Sequence, residues 1–129
     1  MRILLDTNAY SELLRGNDLV LEWLENSEII ILSIIVIAEL LTGFKGGTKE
    51  KKNNAILQDF ATHPKVQIVN ASLKTAQIFS EIKHYLKLNG KPMPINDIWI
   101  ASQSIEFDAK LISFDKHFKE IPKLDIWEN

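Results

Sequence analysis

A short apolar run that ends in an acid is the feature that most constrains how this chain folds. Ile3-Leu4-Leu5 leads directly into Asp6, and Ser11 to Leu14 then follow the rhythm of a helix. An all-apolar run bounded by polar residues predicts a strand that is buried on both faces. Ligands bind at the carboxyl ends of the strands in an open parallel sheet. Asp6 is therefore expected at the functional edge of such a sheet.

The rest of the chain alternates between short apolar runs and helical patterns. This alternation predicts an α/β fold, a three-layer α/β/α sandwich with a mainly parallel sheet of four to five strands. The predicted strands are Met1–Leu5, Ile29–Leu32, Val66–Val69, Lys110–Ile112 and a short last strand, Leu124–Ile126. The predicted helices are Ala9–Leu14, Leu19–Glu25, Ile34–Gly43, Asn53–Thr62, a long helix from the Ser72 cap to Leu88, and Ile98–Ile105, with a helical turn at His117-Phe118.

Size and composition favour one globular domain, residues 1–129. Hydrophobic residues make up 46% of the chain, which is enough for a core, and the net charge is −2. The absence of cysteine excludes disulfides and thiolate metal sites and suits the cytoplasm. No leader pattern opens the chain, and no apolar stretch is long enough to span a membrane. The slight negative charge counts against nucleic-acid binding by bulk electrostatics.

Glu39 is a lone carboxylate in a helix that is otherwise apolar nearly all round, so the helix is expected to be buried. An unpaired buried charge is costly. Glu39 therefore either belongs to a functional site, lies on a solvent-exposed stripe of the helix, or pairs with a lysine. The basic, glycine-containing segment Lys45–Lys52 that follows is predicted to be a flexible connection that also has the charge to contact RNA, as does Arg15.

Two further acids have both a structural and a functional interpretation. Asp97 lies at the start of a helix beside Asn96, where the helix dipole favours an acid. Asp115 follows the Lys110–Ile112 strand as Asp6 follows the first strand, and either acid is also suited to cap the next helix.

Together, Asp6, Glu39, Asp97 and Asp115 are better explained by a shared site than separately. A doubly wound sheet brings strand ends and helix starts to one edge. Each pair of carboxylates about 6 Å apart repels by roughly 2–3 kcal/mol at an effective dielectric near 20. Such a cluster needs cations, and oxygen ligands favour magnesium, manganese or calcium over zinc or copper.

These residues also lie in four segments that resemble the successive motifs of a PIN-domain ribonuclease. The four motifs follow one another in order across essentially the whole chain, and the chain is similar in particular to the VapC-like toxins of toxin–antitoxin modules. The segments are Leu5-Asp6-Thr7-Asn8, Ala38-Glu39-Leu40, Asn96-Asp97-Ile98-Trp99-Ile100-Ala101 and Ser113-Phe114-Asp115-Lys116-His117-Phe118.

The resemblance implies a metal-dependent endoribonuclease that acts on single-stranded or structured RNA. It assigns Asp6, Glu39, Asp97 and Asp115 to a catalytic metal site, with Asn8 and Ser113 as supporting residues. The implied cofactor is Mg²⁺ or Mn²⁺, with Glu39 binding it directly or through water. The implied partners are RNA, a cognate antitoxin that covers or enters the site, and a second copy of the chain in a homodimer.

Two departures from the family pattern concern the last motif. Many relatives have threonine where this chain has Ser113, and serine keeps the hydroxyl. Others have a further acid at the position of His117. Since His63, His84 and His117 are scattered along the sequence, we expect packing or surface roles for them rather than a metal-ligand set.

Other functions for such a chain remain open at this stage. A haloacid-dehalogenase-type phosphatase also begins with a strand that ends in Asp, but it needs a second Asp where this chain has Asn8. A receiver domain needs an acidic pair after the first strand, and Asp6-Thr7 does not supply one. A catalytically inactive relative that binds RNA or docks on proteins is the remaining alternative.

Overall fold

A computed structural model describes residues 1–128. Within that range the chain forms four strands, β1 (Arg2–Leu5), β2 (Ile29–Ser33), β3 (Val66–Val69) and β4 (Lys110–Ile112). It also forms six α-helices and one 3₁₀ helix. The helices are α1 (Thr7–Leu14), α2 (Asp18–Asn26), α3 (Ile34–Lys45), α4 (Glu50–Ala61), α5 (Leu73–Leu88) and α6 (Ile95–Glu106), and the 3₁₀ helix is Lys116–Glu120.

The four strands form one parallel sheet in the order β3-β2-β1-β4. The chain places β2 and β3 on one side of β1 and then returns to add β4 on the other side. The order therefore reverses between β1 and β4, which is where a crevice opens at the carboxyl ends of the strands. Leu5 pairs with Ile112 across this point, so the residues that follow the two strands lie side by side.

Apolar side chains cover both faces of the sheet. Ile3, Leu5 and Ile112 pack on one face with Ala9 and Val20, which belong to α1 and α2. The other face carries the larger cluster. It includes Leu4, Ile31, Leu111, Val36, Leu40, Leu57, Ile82, Leu86, Ile98 and Ala101. The predicted three-layer α/β sandwich is thus confirmed, since α1 and α2 lie on one side and α3 to α6 supply most of the other.

The predicted fifth strand is wrong. The Leu124–Ile126 segment makes only an isolated parallel bridge between Leu111 and Ile126. Two hydrogen bonds hold it, from the Leu111 N–H to the Asp125 carbonyl at 2.8 Å and from the Trp127 N–H to the Leu111 carbonyl at 3.0 Å. Lys123 has a φ of 67°, a left-handed conformation that turns the chain immediately before this contact. The segment therefore touches the edge of the sheet without forming a ladder.

Helix α3 is only partly buried, contrary to the expectation from its apolar sequence. Val36 and Leu40 are buried, whereas Ile34 and Leu41 are 38% and 39% exposed. The helix also runs two residues further than predicted, to Lys45, and α4 already begins at Glu50. The predicted loop Lys45–Lys52 is therefore reduced to residues 46–49, because its charged residues continue the helices on either side.

No helix in the described range 1–128 is long and apolar enough to cross a membrane.

Candidate active site

Asp6 occupies the centre of the site, at the end of β1. Its carboxylate caps α1 by accepting a hydrogen bond from the Ala9 N–H at 2.8 Å, which is the structural role that its position after the first strand allowed. The Ser113 hydroxyl donates to the second oxygen at 2.5 Å. Burial raises the pKa of Asp6, and the charges of Asp115 and Glu39 raise it further, whereas the two hydrogen bonds lower it. Asp6 is thus both a helix cap and a buried carboxylate with a hydrogen bond to each oxygen.

Ser113 connects the ends of β1 and β4. Besides donating to Asp6, its oxygen accepts a hydrogen bond from the Asp115 N–H at 3.0 Å. The Ser113 carbonyl accepts from the buried Trp127 indole N–H at 2.5 Å. Trp127, near the end of the described chain, therefore holds the backbone at the site, and no local sequence pattern predicts this contact.

Asp115 caps the 3₁₀ helix, as the structural interpretation of its position allowed. Its Oδ1 accepts from the His117 N–H at 2.9 Å, and the His117 Nδ1 lies 2.9 Å from the same oxygen. The His117 side chain is 75% exposed. The predicted surface role for His117 therefore includes an ion pair with a site acid whenever the imidazole is protonated.

Glu39 projects from α3 toward residues that adjoin the other acids. The Thr7 hydroxyl donates to Glu39 Oε1 at 2.6 Å, and the Asn96 amide donates to Oε2 at 3.4 Å. Thr7 follows Asp6 directly and Asn96 precedes Asp97, so these two bonds bring Glu39 to both acids. Sequence reasoning missed both contacts, although each donor is the immediate neighbour of a predicted site residue.

Asp97 lies in the first turn of α6 but does not cap it, since Pro94 occupies the cap position. Its pKa is raised to about 6, mainly by burial and then by the charges of Asp115, Glu39 and Asp6, with a smaller opposing effect of His117. Each of the other three acids therefore acts on Asp97 electrostatically. The four predicted acids meet at one edge of the sheet.

The charge of this cluster is not balanced by basic side chains. Within residues 1–128, His117 is the only basic partner within 4.0 Å of any of the four acids, and it contacts Asp115 alone. Within the same range, no group of three or more His, Asp or Glu side chains is already arranged to hold a metal ion. Glu39 and Asp115 instead accept hydrogen bonds from protein donors.

Asn8 does not join the acids in the way expected of a supporting residue. Its side chain is exposed on α1, and in the part of the chain that the structure describes it has no hydrogen bond to any of the four acids. It lines a shallow cleft of about 420 Å³ together with Glu12, Arg15 and Phe114.

Comparison with known proteins identifies the family. The sequence model of the PIN-domain family matches residues 3–124 of this chain. Ribonuclease VapC2 of Rickettsia felis is 34% identical over 110 residues, which cover 84% of this chain and 80% of that relative. Toxin FitB of Neisseria gonorrhoeae is 35% identical over 125 residues, which cover 88% of this chain and 87% of FitB.

Solved structures agree with the sequence comparison. The crystal structure of VapBC2 from Rickettsia felis, bound to a DNA fragment from the promoter, contains a chain with a TM-score of 0.86 and 30% identity to this one, covering 99% of this chain and 100% of that chain. A chain in the structure of FitAcB from Neisseria gonorrhoeae has a TM-score of 0.80 and 28% identity, covering 99% and 97%. This chain belongs to the PIN-domain family and, within it, to the VapC and FitB toxins of toxin–antitoxin systems.

Proposed function

We propose that this protein is a metal-dependent endoribonuclease and the toxin of a toxin–antitoxin pair. The observation that carries the proposal is the meeting of Asp6, Glu39, Asp97 and Asp115 with no lysine or arginine within 4.0 Å of them in residues 1–128. An uncompensated group of carboxylates at the crevice of a parallel sheet is suited to a divalent cation. The relatives named as ribonucleases point to RNA as the substrate.

The donor set fits Mg²⁺ or Mn²⁺. All the candidate ligands are carboxylate oxygens, which these ions prefer. Asp6, Asp97 and Asp115 would hold the ion, and Glu39 would bind directly or through water. Mg²⁺ keeps several of its waters and shares substrate phosphate oxygens, so a site without three preassembled ligands is compatible with it. When bound, the ion supplies charge to the phosphate oxygens and lowers the pKa of a water.

The protein's own residues orient the acids. Ser113 and the Ala9 N–H each donate to one oxygen of Asp6, and each oxygen keeps a further lone pair for an ion. Thr7 and Asn96 hold Glu39 beside Asp6 and Asp97. Such outer contacts fix the geometry of the ligands, and their loss typically costs about tenfold to a hundredfold in metal affinity or activity.

The proposed reaction is hydrolysis of an RNA phosphodiester by water attacking in line with the leaving 3′ oxygen. The expected products carry a 5′-phosphate and a 3′-hydroxyl. The chain has no cysteine to act as a nucleophile, and the scattered histidines supply no pair to activate a ribose 2′-hydroxyl. Products that end in a 2′,3′-cyclic phosphate would contradict this mechanism.

The proposed partners are inferred from relatives in the same family. The solved relatives named VapBC2 and FitAcB are complexes, so we propose a cognate antitoxin that covers or enters the acidic site. We also propose a homodimer and a cytoplasmic location, where RNA and the antitoxin are both present. The lack of cysteine is compatible with that reducing compartment.

RNA cleavage by the purified chain with Mg²⁺ or Mn²⁺ tests the proposal. Asp6→Asn and Asp97→Asn are expected to reduce cleavage by at least about a hundredfold, because each removes a charged oxygen ligand. Asp59→Asn, the same change at an exposed position on α4, is the matched control and is expected to cut like the parent. If both site variants cut as fast as the parent, the assigned site is wrong. If the parent cuts no RNA with either ion, the non-catalytic alternative is favoured.

A further inference from the structure

A shallow pocket adjoins the acidic site without sharing its carboxylates. This cleft of about 420 Å³, which we call the Phe114 pocket, is lined by Asn8, Glu12, Arg15 and Phe114. Asn8 lies two residues after Asp6, and Phe114 lies between Ser113 and Asp115. The pocket and the acidic site are therefore connected through neighbouring residues after β1 and β4.

We propose that the Phe114 pocket binds one unpaired nucleotide of the RNA next to the cleaved bond. In this arrangement the base lies against the Phe114 ring, its edge meets Asn8, and its phosphate meets Arg15. The inference rests on the proposed function and deepens it, since it assigns residues that select and position the substrate.

The Phe114 ring is supported by a buried aromatic side chain. It is only partly exposed, and it packs edge-on against the buried Trp127 ring, with centroids 5.1 Å apart and an interplanar angle of 88°. Trp127 is in turn anchored by its indole N–H to the Ser113 carbonyl. A supported aromatic side chain at the mouth of a nuclease site is suited to stacking, which is how proteins commonly hold splayed-out RNA bases.

Arg15 is the cation of the pocket. Its Nη1 donates to Glu12 Oε1 at 3.0 Å, and its side chain is 70% exposed. Both residues line the pocket, and the single bond to Glu12 leaves the other guanidinium donors available to a phosphate. The other arginine of the chain, Arg2, instead donates to the Phe107 carbonyl at 2.9 Å.

Asn8 supplies the polar contact to the base. Its amide carries two donors and an acceptor, and within residues 1–128 the structure gives that side chain no hydrogen-bond partner. Amides read base edges by paired hydrogen bonds, whether on duplex or unpaired bases. This role replaces the direct support of the acids that the sequence led us to expect of Asn8.

Binding of a short fluorescent single-stranded RNA in Mg²⁺, followed by anisotropy, tests the pocket. The parent for the assay is Asp97→Asn, which keeps the pocket and prevents cleavage during the measurement. Abasic sites are introduced one at a time along the RNA. One position is expected to lose affinity about fivefold to tenfold, the lower range for base–aromatic stacking. In the double variant Asp97→Asn/Phe114→Leu, an abasic site at the same RNA position is expected to lower affinity by less than about twofold.

Arg15→Gln and Asn8→Ala provide tests at exposed positions that do not depend on core packing. Arg15→Gln is expected to weaken RNA binding severalfold and to lower the slope of log affinity against log salt by about 0.7, as for one lost phosphate contact with a single strand. Lys74→Gln, the same loss of charge at an exposed position on α5, is the matched control and should leave the slope unchanged. At the RNA position where an abasic site lowers affinity, Asn8→Ala is expected to make the affinities for RNAs with different bases more alike.

The outcomes separate this proposal from the proposed function. If every abasic position costs the same in the parent and in the Phe114→Leu variant, or if Arg15→Gln behaves like Lys74→Gln, the pocket is not a nucleotide site, whatever the wild type cleaves. If RNA binds with the expected Phe114-dependent position but the wild type cleaves no RNA, the pocket stands and the proposed catalysis is wrong.

Discussion

Replacing Asp97 by asparagine is expected to stabilise the metal-free protein, although it removes an acid of the proposed site. The carboxyl has a pKa of about 6 in the folded state, against an ordinary value of 3.8. The folded state therefore holds its proton more tightly than the unfolded state does. Above the folded pKa the carboxylate is charged in both states, and the full penalty of burial and of its acidic neighbours acts on the folded state.

The magnitude follows from the two pKa values. Each tenfold difference in proton affinity is worth about 1.4 kcal/mol, so the unscreened penalty at neutral pH is about 3 kcal/mol. Because Asp97 is only partly buried, solvent screening reduces this figure to about half. Asparagine also loses the favourable interaction of an acid with the first turn of α6, about 0.5 kcal/mol. The expected gain is about 1 kcal/mol, or about 3–5 °C in Tm for a chain of this size.

The gain in stability from Asp97→Asn should become smaller as the pH falls. As pH falls through about 6, the folded wild type takes up a proton and its penalty is relieved, so the advantage of the variant shrinks. It should be lost near pH 4, where the unfolded carboxyl also begins to protonate. Urea unfolding of the chelator-treated proteins at about pH 7.5, 5.5 and 4 measures this trend.

Asp59→Asn is again the matched control, because Asp59 is exposed on α4 and away from the acidic cluster. Its effect is expected to stay within about 0.5 kcal/mol and to be nearly independent of pH. A variant at Asp97 that is less stable than wild type at neutral pH without metal would refute the reasoning. So would a gain of the same size at all three pH values, because it would not come from the charge.

Three further predictions concern the surroundings of the acids. About 10 mM Mg²⁺ should raise the free energy of unfolding by about 1.4 kcal/mol if its dissociation constant is about 1 mM, and Asp6→Asn should remove most of this gain in thermal melts. Ser113→Ala should cost about 1–3 kcal/mol in urea unfolding because Asp6 and the Asp115 N–H both lose a partner, whereas Ser113→Thr should retain most of the stability. Thr7→Val should lower RNA cleavage about tenfold at nearly unchanged Tm because Glu39 loses its donor, and Thr7→Ser should restore it; equal rates for the two variants would contradict this role.

The sequence by itself determined the order of the elements and the positions of the acids along them. Buried parallel strands are continuous apolar runs, so Ile3-Leu4-Leu5 and Lys110–Ile112 could be recognised locally, and an acid after each could be placed at a strand end. The four strands were predicted from such local patterns, and the four acids of the candidate site were singled out because they follow a strand or lie on a helix where a carboxylate needs an explanation. The fifth strand was wrong, because a short apolar segment does not reveal whether its backbone finds a ladder or, as at Ile126, a single bridge.

Only the tertiary structure decided how the side chains are paired. Thr7 and Asn96 reach Glu39 across 32 and 57 residues of sequence, and Trp127 reaches the Ser113 carbonyl across 14. Such contacts depend on the crossing of helices and on the register between β1 and β4, which no local pattern encodes. The same holds for the cleft, since Phe114 follows β4 and meets Asn8 and Arg15 only because β4 pairs with β1.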